Sequence, residues 1–103
     1  MIITLIGSVS KSRDRMIELK QEFEKQGFVV NCPCDEERQK QPLINLCTSW
    51  ICKIREADLI IAIPKNYKLN ENGSSIIEYL FGESTTYEMA IADYFNKRIL
   101  IIN

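Results

Sequence analysis

The sequence predicts a small doubly wound α/β domain: four parallel strands in the order 2-1-3-4, with helices on both faces of the sheet. Three observations carry this. Short apolar runs recur along the chain at 2–6, 28–31, 58–63 and 98–102. Between them lie segments whose apolar residues follow helical spacing, so strands and helices alternate. The runs are nearly continuous rather than alternating, as suits parallel strands covered on both faces. Right-handed crossovers then leave one economical topology, a shortened Rossmann- or flavodoxin-like sheet in a three-layer α/β/α arrangement.

Each element has its own signal. Ile2-Ile3-Thr4-Leu5-Ile6 is the first strand, closed by Gly7. Ser8 to Ser12 reads as a polar turn, and Ser12 as the cap of a helix over 13–26. Met16, Ile17, Leu19 and Phe23 form its inner face, and Gly27 ends it. Phe28-Val29-Val30-Asn31 is the second strand. A polar loop over 32–42 holds Pro33 and Pro42. A second helix over 43–56 carries Leu43, Leu46, Trp50, Ile51 and Ile54 as its apolar set. Asp58 opens the third strand, and Pro64 stops it. The connection over 65–83 is long, which favours a functional segment. Within it, 74–81 reads as a short helix. The last helix spans about 85–96 and leads into Arg98-Ile99-Leu100-Ile101-Ile102.

The 103 residues suffice for one domain with one core, spanning 1–103. Apolar residues make up 46% and charged residues 26%, an ordinary globular balance. The net charge of −1 supplies no basic field for a nucleic acid polymer. No apolar run is long enough to span a bilayer, and Ile2 to Ile6 lacks the flanks of a signal peptide. A cytoplasmic protein with reduced thiols is expected. Its four cysteines are Cys32, Cys34, Cys47 and Cys52, and it has no histidine. Their spacing is not that of the usual zinc sites. They read as small buried residues at a strand end and inside a helix, so no metal or other cofactor is expected.

The candidate site follows from the topology. Open α/β sheets bind ligands beyond the carboxyl ends of their strands, at the point where strand order reverses. Here that point lies between strands 1 and 3, at the turns after Ile6 and Ile63, with the start of the last helix close by. Gly7-Ser8-Val9-Ser10-Lys11-Ser12-Arg13 follows the first strand. Gly7 permits close backbone approach, and three serines, a lysine and an arginine at a helix start suit a phosphate. One glycine makes neither a Walker A loop nor a dinucleotide fingerprint, and the same residues also serve as a plain polar turn.

Gly82-Glu83-Ser84-Thr85-Thr86-Tyr87-Glu88 opens the last helix. Glu88 has two readings. Thr85-Thr86-Tyr87-Glu88 fits a capping box, in which the glutamate bonds back to the cap N–H. Alternatively, Glu88 is a nucleophile or base held at the crevice, with Ser84, Thr85 and Thr86 around it. Tyr67 is either a nucleobase platform or an exposed loop side chain. Tyr79, Phe81, Tyr87 and Tyr94 read as core or interface residues. Asp58, at the far edge of the sheet, reads as a turn residue.

Taken together, these residues resemble the nucleoside 2-deoxyribosyltransferase family and its relatives, the 2'-deoxynucleoside 5'-phosphate N-hydrolases, over almost the whole chain. The resemblance rests on Ile6-Gly7-Ser8, on Glu56-Ala57-Asp58-Leu59-Ile60-Ile61-Ala62, on Ser84-Thr85-x-x-Glu88, and on Asn96-Lys97-Arg98-Ile99-Leu100. It implies cleavage of an N-glycosidic bond, with Glu88 attacking the anomeric carbon. Gly7, Ser8, Ser10, Arg13, Ser84 and Thr85 would hold sugar and phosphate. It also implies a homodimer or larger assembly, which we expect to use helix 43–56 with Trp50 and part of 74–95. The family's aspartate in the second helix is here Trp50, and the one six residues before the nucleophile is Gly82. A non-catalytic nucleotide-binding module on the same fold therefore stands as the alternative, and a purely structural or interaction domain as a third reading.

Overall fold

A computed structural model of the chain describes residues 1–34, 43–69 and 77–102; of 43–49, 66–69 and 77–80 it describes the backbone only. The elements in chain order are β1 (Ile2–Gly7), α1 (Val9–Lys25), β2 (Val29–Asn31), α2 (Leu43–Glu56), β3 (Leu59–Ile63), β4 (Asn66–Leu69), β5 (Ile77–Leu80), α3 (Glu83–Tyr94) and β6 (Ile99–Ile101). The main sheet is parallel, in the order β2-β1-β3-β6. These are the four expected strands in the expected order. The longest pairing runs between β1 and β3, from Ile3↔Leu59 to Gly7↔Ile63.

The apolar runs are continuous because each strand supplies two cores. Ile3, Leu5, Ile61 and Ile63 face Met16 and Leu19 of α1. Ile6, Ile60 and Ala62 face Trp50 and Ile54 of α2 and Ala92 of α3. Alternate residues thus point to opposite faces, giving three layers with the sheet in the middle. The Trp50 side chain is 7% exposed and belongs to this second core, so it is a core residue and not the interface residue expected of it. Buried Thr4 donates its hydroxyl hydrogen to the Lys53 carbonyl of α2 at 2.9 Å, which satisfies it on an otherwise apolar strand.

Helix ends are fixed by local chemistry. After α1, Gly27 takes φ 90°, its N–H bonds Glu24 O, and the Phe28 N–H bonds Phe23 O. That is a Schellman motif, completed by the Phe23 and Phe28 rings at 6.1 Å. After α3, Asn96 at φ 57° repeats the pattern, with N–H groups of Asn96 and Lys97 bonded to Asp93 O and Ala92 O.

The helix starts differ from expectation. α1 begins at Val9 with Ser8 as its N-cap, whose carbonyl accepts the N–H groups of Lys11 and Ser12. Ser12 is therefore not a cap. It is a buried residue inside the helix, with its hydroxyl 3.5 Å from the Pro64 carbonyl. α3 begins at Glu83 with Gly82 as its N-cap, and the Thr86 N–H and hydroxyl both reach the Gly82 carbonyl at 3.0 Å. The capping box on Thr85 and Glu88 does not form, because Thr85 already lies inside the helix. Glu88 lies one turn further in than expected.

The second departure is a hairpin. β4 and β5 pair antiparallel from Asn66↔Leu80 to Leu69↔Ile77, apart from the main sheet. Residues 77–80 are strand and not the helix expected over 74–81; residues 74–76 lie outside the described part. Tyr67-Lys68-Leu69 and Ile77-Glu78-Tyr79 each alternate apolar and polar residues, the period-two signal of a strand. The Tyr67 and Tyr79 side chains, and that of Cys47, lie outside the described part.

Candidate functional site

The carboxyl ends of β1 and β3 and the start of α3 enclose a cleft of about 390 Å³. Gly7, Ser8, Val9, Ser10 and Lys11 form one wall, Gly82, Ser84, Thr85 and Glu88 the other, and Lys65 closes the end beyond β3. The strand order reverses here, since β1 has β2 on one side and β3 on the other.

Gly7 makes the cleft possible. Its Cα packs so closely that a Cβ would lie 2.7 Å from Met16 Cε and 2.9 Å from the Ile63 carbonyl oxygen. The methionine tip can move, but the carbonyl is part of the β1–β3 ladder. Only glycine lets the chain leave β1 here and turn at once into α1. The Ser8 and Ser10 hydroxyls then lie 3.1 Å apart at the helix start. The Ser12 contact with Pro64 joins this turn to the end of β3, and Lys65 follows directly.

On the other wall, helix geometry gathers the side chains. Ser84 and Thr85 precede Glu88 by four and three residues, so the three share one face. Side chains on a helix lean toward its N-terminus, which carries the Glu88 carboxylate back over the turn of Ser84 and Thr85. Thr85 is buried, Glu88 half-buried and Ser84 exposed. Glu83, Thr86, Tyr87 and Ala90 lie on a different face and line a separate shallow hollow. Thr86 therefore leaves the hydroxyl cluster expected around Glu88.

Two helix N-termini, those of α1 and α3, border the same cleft. Each brings backbone N–H groups without intrahelical partners and the positive end of a macrodipole. Lys11 and Lys65 add two cationic side chains. The cleft thus offers hydroxyls, amides and ammonium groups to an anion, with the Glu88 carboxylate beside them.

Six of the seven residues expected at the site line it: Gly7, Ser8, Ser10, Ser84, Thr85 and Glu88. Arg13 does not. Ser12, Met16 and Leu19 are the buried face of α1, and Arg13, one residue round the helix from Ser12, is exposed. Lys65 was not singled out by the sequence, although its place after the third strand, at the predicted switch point, is a usable signal. Among the described residues no group of three or more histidines, cysteines or acidic residues is placed to hold a metal ion. No helix of the described part is long and apolar enough to cross a membrane.

No protein-family model matches the chain, and no curated protein sequence matches it. Solved structures do. The CMP N-glycosidase BcmB of Clostridium botulinum superposes with a TM-score of 0.68 at 18% identity, over 98% of this chain and 67% of that one. A 2-deoxyribosyltransferase from Leishmania mexicana superposes with a TM-score of 0.71 at 17% identity, over 98% of this chain and 63% of that one. The chain thus spans about two thirds of the length of these proteins. Its parallel four-stranded domain has the fold shared by a nucleotide N-glycosidase and a deoxyribosyltransferase.

Proposed function

We propose that the chain cleaves the N-glycosidic bond of a deoxynucleoside or its 5'-phosphate, as a hydrolase or a deoxyribosyltransferase, with Glu88 as nucleophile. The observation that carries this reading is the convergence of Glu88, Ser84 and Thr85 of α3 with Ser8 and Ser10 of α1 on one cleft. The similarity in fold to an N-glycosidase and a deoxyribosyltransferase supports it.

The chemistry balances with what the cleft holds. A Glu88 carboxylate oxygen forms a bond to C1' of the sugar. The bond from C1' to the base nitrogen breaks, and the base leaves with the electron pair and takes a proton from solvent. The transition state resembles an oxocarbenium ion, and the product is a glycosyl ester on Glu88. Water, or the nitrogen of a second base, then attacks C1' and returns the carboxylate. The serine hydroxyls, helix N-termini and Lys11 and Lys65 bind the sugar and a 5'-phosphate.

One observation favours a second reading. Trp50 occupies the place of the aspartate implied by the resemblance and is packed into the core. That is consistent with a nucleotide-binding module without turnover. A thermal-shift screen over nucleosides and nucleotides, run beside an assay for free base, separates the two. Melting shifts with base release support the enzyme. Shifts without release support the binding module. Neither effect, with the protein folded, overturns both.

The same reading includes self-association. Tyr87 and Tyr94 of α3 are 67% and 80% exposed, which leaves large aromatic surface uncovered by the chain itself. We expect a homodimer or larger assembly that uses this surface. Sedimentation showing only monomer at about ten times a micromolar dissociation constant contradicts it.

A further inference from the structure

Cys32-Pro33-Cys34 plays no part in the cleft chemistry, yet its two thiols are in contact. Their Sγ atoms lie 2.6 Å apart, and no disulfide joins them. A disulfide bond is about 2.05 Å long, so little movement separates the pair from a covalent bridge. The geometry has a local cause. The chain leaves β2 at Asn31 and turns at Pro33 and Cys34, which folds the second cysteine back onto the first. Proline holds its own φ near −65°, so part of the ring that a bridge would close is already fixed. The pair is enclosed in the core beneath α1, where Cys32 is fully buried and Cys34 is 8% exposed. The packing holds both sulfurs in place.

We propose that Cys32 and Cys34 are a redox modification site that forms a reversible intrachain disulfide with a small-molecule disulfide as oxidant. Cys34, the more exposed thiol, loses its proton and attacks one sulfur of the oxidant. One small thiolate leaves, and a mixed disulfide forms on Cys34. The Cys32 thiolate then attacks Cys34 Sγ and expels the second small thiolate. The two protons given up by the cysteines are taken by the two small thiolates, so one disulfide and two protein thiols become one protein disulfide and two small thiols. Burial makes the first step slow and the contact makes the second step fast. The bridge sits at the carboxyl edge of the sheet. Met16 belongs to the same core, and it is also the residue packed against Gly7 at the cleft.

The test uses the full chain and oxidised glutathione. The protein is incubated with it, remaining thiols are alkylated, and intact mass and peptide mapping are read. The expected result is loss of two hydrogens, with Cys32 and Cys34 protected in one peptide and Cys47 and Cys52 alkylated. Dithiothreitol should restore both thiols. Cys32→Ser should stop at one glutathionyl group on Cys34, since the resolving thiol is gone. Alkylation of both Cys32 and Cys34 in the wild type overturns the proposal. So does a bridge to Cys47 or Cys52, or a stable mixed disulfide in the wild type.

Discussion

Two carboxylates, Asp58 and Glu88, sit at opposite edges of the same sheet, in different surroundings. At the amino edge, Asp58 Oδ2 accepts the Ile2 N–H at 2.7 Å, while the Asp58 N–H bonds the Ile2 carbonyl at 2.8 Å. This carboxylate is a clasp that starts the β1–β3 pairing. At the carboxyl edge, Glu88 lines a cleft shared with four hydroxyl side chains and two lysines. Size does not separate the two places, since a hollow of about 410 Å³ also lies beside Asp58. Chemistry does. Among the described residues, the hollow beside Asp58 is bordered by no helix N-terminus, whereas the cleft beside Glu88 is bordered by two. In a parallel sheet the chain direction puts helix starts at one edge and helix ends at the other, so the dipoles favour anions at one edge only.

Substitutions at the two edges should therefore differ in their effects. The largest effect is expected from Glu88→Gln. It keeps the shape and removes the nucleophilic charge, so base release should fall by about a thousandfold or more while the melting curve is kept. Asp58→Asn, at the other edge, should leave base release within about twofold. Next comes Gly7→Ala. Its Cβ meets the Ile63 carbonyl at 2.9 Å, and β1 must shift against β3. Urea unfolding should show a loss of about 1–3 kcal/mol, and ligand binding should weaken as the Ser8 turn moves. Lys65→Ala is expected to weaken binding of a nucleoside 5'-phosphate by about tenfold, or about 1.4 kcal/mol, with nucleoside binding unchanged. Calorimetry with the matched pair of ligands reads that difference. Equal losses for both would remove Lys65 from phosphate binding. The smallest effect is that of Asp58→Ala on stability. The hydrogen bond it removes is exposed, so a loss of about 1 kcal/mol is expected by denaturant titration.

The sheet was legible because its signal is redundant. Ile3, Leu5, Ile60, Ile61 and their neighbours serve two cores, and such strands read as unbroken apolar runs. The helix starts were less so. Ser8, Ser10 and Ser12 are all chemically fit to cap α1, and only the backbone path after Gly7 selects Ser8. Gly82 has no side chain to announce it as a cap, which made the hydroxyl of Thr85 the more visible candidate. That error moved Glu88 by a turn. Its effect is to leave Glu88 out of the capping box and on one face with Ser84 and Thr85. Arg13 belongs to the same polar stretch as Ser8 and Ser10 and is chemically fit for a phosphate. The rotation of α1 around Ser12 and Met16 sends it to solvent. Lys65 is the reverse case: it follows the predicted switch point directly, but a single lysine carries no motif that marks it as a site residue.

In the proposed mechanism the carboxylate at the helix-start edge forms a covalent bond with the sugar. A deoxynucleotide analogue with fluorine at C2' slows breakdown of the glycosyl ester more than a natural substrate does, because the fluorine destabilises positive charge at C1'. Wild-type protein incubated with it should gain the mass of one fluorinated sugar phosphate, mapped to Glu88, and Glu88→Gln should gain nothing. Modification of another residue, or base release from natural substrate by both proteins with no adduct in either, would contradict the account.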